Sequence, residues 1–130
     1  STRSPQWTHG GVVFAPTPRD YSFKLNKKEK RIALKSALTS KVQDGKVMVL
    51  DELKLDEIKT KKFQEVLTNL NAKKALVVIK ENDKNIVLSA RNIPDAQTIV
   101  ADSINVSAIM KAGTVVLTKD SVAKIEEVYA

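Results

Sequence analysis

From residue 46 onward, short unbroken apolar runs alternate with stretches whose apolar positions return every three or four residues. Residues 46–50 (KVMVL), apolar from Val47, predict a buried strand, and 75–79 (ALVVI) is a continuous apolar run of the sort buried on both faces. Residues 98–101 (TIVA) and 114–117 (TVVL) predict a third and a fourth strand. Between the first two runs, Phe63, Val66, Leu67 and Leu70 fall at i, i+3, i+4 and i+7, which predicts a helix over 60–71. Residues 85–92 fit either period and are read as a short helix ended by the Ile93-Pro94 step. Asn105 is placed to cap a helix using Val106, Ile109 and Met110, with Gly113 closing it. Thr118 caps the last helix, whose Val122, Ile125 and Tyr129 face inward while Asp120 can pair with Lys124. Four such strands alternating with helices predict an α/β fold: a three-layer α/β/α domain with a four-stranded, mostly parallel sheet and right-handed crossovers.

The first third has another character. Residues 1–26 follow neither period and are broken by Pro5, Gly10, Gly11, Pro16 and Pro18, so extended or looped backbone is expected, with 12–14 as one short strand. A helix follows over about 27–42, where Leu34, Ala37, Leu38 and Lys41 form a stripe, Lys41 lending its aliphatic stem at the edge. Asp44-Gly45 marks the turn out of it. The organisation read from this is an arm over 1–26 and one α/β domain over 27–130. Within that domain, 27–43 is a basic helix and 46–130 the alternating part.

Charge sharpens the division. The formal net charge is +7, and residues 1–46 hold ten Lys or Arg against three acids, whereas the remainder holds twelve of each. The excess therefore sits in the arm and first helix, and a polyanion is the partner it suits. Four of the six aromatic residues (Trp7, Phe14, Tyr21, Phe23) lie in the same arm. Rings and guanidinium groups interleaved on irregular backbone suit stacking on unpaired bases and pairing with phosphates; packing of the arm on its own domain is the competing reading. In the helix, Lys28, Arg31 and Lys35 share one flank, and Glu29 is the only acid available to offset them. Lys61-Lys62 and Lys73-Lys74 lie near acids in sequence and read as solvated surface, with weak phosphate contact the lesser alternative.

Most catalytic chemistry finds no residues. Without cysteine there is no disulfide or thiolate metal site, and one histidine excludes a multi-histidine centre within the chain. His9 has no serine or cysteine partner at a recognisable spacing, and Gly10-Gly11 precedes Val12 rather than opening a helix, so a nucleotide-binding loop is not expected. The strand ends offer Asp51, Lys80, Asp102 and Lys119. A phosphoacceptor site on Asp51 and Lys119 would need further carboxylates for Mg²⁺, so turn or cap roles are favoured for the acids. No apolar run reaches the ~18–20 residues of a membrane span, and the polar start does not read as a signal peptide, so a cytoplasmic protein is expected. The chain opens at Ser1 without methionine, which is read as truncation.

Several motifs are specific enough to name a family. The strings 4–7 (SPQW), 9–14 (HGGVVF), 16–21 (PTPRDY) and 24–25 (KL) resemble the bacterial large-subunit ribosomal protein four family, as do 33–38 (ALKSAL), 88–92 (LSARN) and 116–120 (VLTKD). The likeness spans essentially the whole chain. It implies a non-enzymatic ribosomal RNA-binding protein with an α/β/α domain on the outside of the large subunit and a long basic loop reaching toward the peptide exit tunnel. It also implies, in some bacteria, repression of the protein's own operon through the leader transcript. Two departures stand out. The family has an N-terminal portion and loop tip before the position of Ser1, and a Tyr-Asp pair where Ser107-Ala108 follow Asn105-Val106 here, which would relax packing around that helix.

The expected RNA contacts are Arg3, Gln6, Trp7 and His9, then Arg19, Tyr21 and Lys24 in the arm. Lys27, Lys28, Lys30, Arg31, Lys35 and Lys41 would continue them on the first helix, with Arg91 on the body. The expected partners are large-subunit ribosomal RNA, neighbouring ribosomal proteins and the operon leader mRNA, with no cofactor, no membrane, and a monomer when free. The alternative is an α/β partner-binding or regulatory RNA-binding module acting outside the ribosome.

Overall fold

The computed structural model describes residues 1–129. Four strands form one sheet: β1 (Val47–Leu50), β2 (Ala75–Ile79), β3 (Ala96–Val100) and β4 (Thr114–Thr118). Their spatial order is β1-β4-β2-β3 and every pairing is parallel. Helices α1 (Lys27–Gln43), α2 (Thr60–Asn69), α3 (Lys84–Ala90), α4 (Val106–Lys111) and α5 (Lys119–Tyr129) complete the three layers.

Side chains leave a strand alternately to its two faces, so a strand covered on both must be apolar throughout. Leu76, Val78, Val115 and Leu117 meet Leu34 and Ala37 of α1 and Ala108 and Ile109 of α4, with Val122, Ile125 and Tyr129 of α5 packed against them. Ala75, Val77, Ile79 and Val116 meet Phe63 and Leu67 of α2 and Ile86 and Ala90 of α3 on the other face. All five residues of the central β2 are buried, whereas the edge strand β1 leaves Val49 exposed.

The differences from expectation have local causes. β3 begins at Ala96 rather than Thr98, because Ala96 and Gln97 align with Ala75 and Leu76. Ala101, expected as its last residue, opens a 3-10 turn and is fully buried. α2 stops at Asn69, and Asn71 then takes a left-handed φ of 50°. Met110 is exposed, since Ala108 and Ile109 supply the buried side of α4. Lys124 pairs with Glu127 rather than Asp120. Thr118 does cap α5, reciprocally: its N–H donates to Ser121 Oγ (2.9 Å), and its own Oγ1 accepts from the Ser121 N–H (3.3 Å). Residues 12–14 form no strand.

Candidate nucleic-acid interface

The arm is exposed along nearly its whole length, yet its start is folded. Successive turns place the Trp7 N–H on the Ser4 carbonyl (3.0 Å) and the Gly10 N–H on the Trp7 carbonyl (2.9 Å). The Gly11 N–H closes the loop on the Arg3 carbonyl at 2.9 Å. Gly10 is required here, because a Cβ would run into the Ser4 carbonyl oxygen. His9, at a φ of 64°, sits in the left-handed region that makes this turn. The loop thus gathers Arg3, Gln6, Trp7 and His9 on one small, solvent-facing knot.

Further on, the Arg19 guanidinium lies 4.2 Å over the Tyr21 ring, a cation–π stack exposed on the outside. The Asp20 carboxylate accepts the Ser22 N–H at 2.8 Å. Hydrogen bonding by the Ser22 side chain and then its backbone holds the Asp20 carboxyl below the usual carboxylate range. The one acid of the arm thereby shapes a turn rather than pairing with Arg19 or Lys24. Phe14, Phe23 and Trp7 are 93%, 81% and 60% exposed, so none supplies core to the domain.

In α1 the apolar stripe engages the core only from Leu34 onward; every residue over 27–33 is exposed. Glu29 accepts the Asn26 backbone N–H at 3.1 Å, satisfying a helix-start donor. Its carboxylate is thus turned to the helix start rather than set in a close pair with Lys27, Lys28, Lys30, Arg31 or Lys35. Among the described residues, none of these five makes an ion pair. Leu25, Ala33 and Leu34 with Ile104, Val106 and Tyr129 form an apolar hollow beneath this overhang.

Lys41 corrects the sequence reading. It is 7% exposed, and its Nζ donates to the Ala112 carbonyl at 2.7 Å, so it braces the loop between α4 and β4 instead of facing a ligand. The seven-residue period that brought it to the buried stripe was visible in the sequence, but its distant acceptor was not. Arg91 is exposed just beyond α3, away from the arm in sequence, and its N–H donates to the Val87 carbonyl at 3.0 Å.

At the carboxyl ends of the strands, Asp51, Glu52, Glu81, Asp83 and Asp120 line a hollow with Lys54 and Lys80. Asp83 caps α3 by accepting the Asn85 N–H (2.8 Å), and Glu52 pairs with Lys54. Among the described residues no three His, Cys, Asp or Glu are arranged to hold a metal ion, and no helix is long and apolar enough to cross a membrane.

The sequence pattern of the ribosomal protein L4/L1 family matches residues 1–128. The chain belongs to that family. It is 68% identical to the large ribosomal subunit protein uL4 of Agathobacter rectalis, 63% to that of Lachnoclostridium phytofermentans and 56% to that of Thermoanaerobacter pseudethanolicus. Each comparison takes in all of this chain and 63% of the relative, so the chain spans under two thirds of the length of the relatives it matches.

The family motifs fall on the arm loop, the Arg19–Tyr21 stack, α1, the end of α3 and the β4–α5 junction. Ser107, where the resemblance places tyrosine, is exposed, so an aromatic there would stand outside the core; the expected loosening of packing has no counterpart. The neighbouring Ala108 is 6% exposed, and its N–H donates to Asn105 Oδ1 at 2.8 Å, completing the expected cap.

Proposed function

We propose that this chain is the RNA-gripping part of a structural, non-catalytic protein of the large ribosomal subunit, working in the cytoplasm. The carrying observation is the exposed run of cations and rings between Arg3 and Lys35, whose two acids, Asp20 and Glu29, bond backbone N–H groups rather than pairing closely with the cations. Phosphate neutralisation by Arg19, Lys28, Arg31 and Lys35 would release counterions, and Trp7, His9 and Tyr21 would stack on or hydrogen-bond to irregular RNA. Arg3, Gln6, Lys24, Lys27 and Lys30 extend the same surface, and Arg91 would add a contact from the body. The α/β body presents it, and the relatives named as large-subunit proteins supply the setting.

Replacing Arg19, Lys28, Arg31 and Lys35 together by Ala is expected to weaken binding to large-subunit RNA. The salt dependence should flatten by roughly one unit per lost phosphate contact. Filter binding across a salt series measures both, and an unchanged slope rules the reading out. The same surface would accept the operon leader transcript, and the free chain is expected to be a monomer. Sedimentation of the chain with isolated large subunits separates ribosomal assembly from a regulatory module acting outside it.

A further inference from the structure

The body is electrically balanced in total but polarised from one end of the sheet to the other. The acids described above crowd the carboxyl ends of the strands. The amino ends carry Lys46 before β1, Lys73 and Lys74 before β2, Arg91 before β3 and Lys111 before β4, with Asp44 and Asp95 the nearby acids. Lys46 pairs with Asp44 at 3.2 Å. Among the described residues, no carboxylate oxygen lies within 4.0 Å of the charged nitrogens of Lys73, Lys74, Arg91 or Lys111.

Backbone bonds hold this end rigid. The Gly113 N–H donates to the Lys74 carbonyl (2.9 Å), and the Ala75 N–H to the Asp95 carbonyl (2.8 Å). The two loops approach so closely that a Cβ on Gly113 would stand 2.5 Å from the Lys73 carbonyl oxygen. Lys74 holds a φ of 48°, a conformation non-glycine residues seldom adopt and one that persists only where surrounding structure imposes it. From beneath, the buried Lys41 ammonium grips the Ala112 carbonyl, the residue between Lys111 and Gly113. The exposed Lys74 and Lys111 side chains then stand on the rim of one hollow of about 250 Å³.

We infer that this platform of Lys73, Lys74 and Lys111 is a second RNA contact, taking backbone phosphates at the amino ends of the strands. The inference rests on the preceding reading that the partner is RNA. Lysine meets phosphate as a point charge, and its flexible stem gives less directional recognition than arginine. Fixing three lysine-bearing positions on interlocked backbone supplies the geometry the side chains lack. Asp95 is the one acid lining the hollow, and the two lysines on its rim leave it net cationic, as a phosphate contact requires.

The test compares Lys73→Ala/Lys74→Ala/Lys111→Ala with the arm-and-helix alanine set, by filter binding of large-subunit RNA across a salt series and hydroxyl-radical footprinting. The platform triple is expected to lower the slope of log affinity against log salt by about two to three units. It should also expose an RNA segment different from the one the arm set exposes. A Lys→Arg triple at the same positions should restore the slope, because it keeps the charges. If the alanine triple binds with the wild-type slope while the arm set loses binding, the platform is refuted and the arm reading stands. If both the alanine and arginine triples lose the slope, disturbed loop structure is the cause and the platform is likewise overturned. Wild-type protein that fails to bind the RNA overturns both readings.

Discussion

An ammonium group removed from water is strongly destabilising unless protein groups replace its solvation. Lys41 has one close replacement, the Ala112 carbonyl at 2.7 Å, in a residue itself only 8% exposed. Lys41→Met keeps the stem and removes the donor, leaving that carbonyl without a partner. The expected loss of folding stability is about 1–3 kcal/mol, read from the urea midpoint at constant m-value. Because Lys41 does not face solvent, the salt slope of RNA binding should change far less than with a lost phosphate contact. A fallen slope with an unmoved midpoint would return Lys41 to the RNA surface. The sequence showed that Lys41 lies on the buried stripe, since its spacing from Leu34 and Leu38 is helical. It could not show which of many carbonyls the amine would meet 71 positions away.

The elements differ in how openly the chain declares them. β2 and β4 were plain because continuous apolar runs suit few other structures, and α2 was plain because its stripe repeats cleanly. β3 was displaced because Ala96 and Gln97 are poor strand formers drawn into register by their neighbour β2. α1 combines two helices in one: a cationic overhang over 27–33 and a packed half from Leu34. That division gives a direct expectation. Leu34→Ala should destabilise the fold by about 2–5 kcal/mol, because Leu34 is 5% exposed within the core. Ile32→Ala, on the exposed half, should fall within about 0.5 kcal/mol of wild type, although isoleucine is equally apolar. Thermal melts of the two variants compare them directly. Equal destabilisation would mean that the overhang is packed in solution.

On the scale of the molecule, strand number and direction were legible, but the order β1-β4-β2-β3 was not. Parallel crossovers of similar length can join either neighbouring or skipped strands, and nothing local distinguishes them. The same blindness hid the lysine platform: Lys73-Lys74 and Lys111 are far apart in sequence, and only the chain path joins their loops. The arm presents the opposite case, since its lack of period was itself the signal. Its exposed rings add no core, and its backbone bonds over 3–11 are internal to itself. Deleting residues 1–24, which keeps Leu25 on its apolar hollow and Asn26 to start α1, should therefore leave the melting temperature within about 2 °C, the shift expected when almost no buried surface is lost. RNA affinity should fall sharply in the same protein, while the charges of α1 and the body retain a weaker, salt-dependent binding. A melting temperature lowered by about 8 °C or more would show the rings packed against the body, as in the competing reading of the arm. Circular dichroism melts and filter binding on one preparation would then separate an arm that holds the fold from an arm that holds its partner.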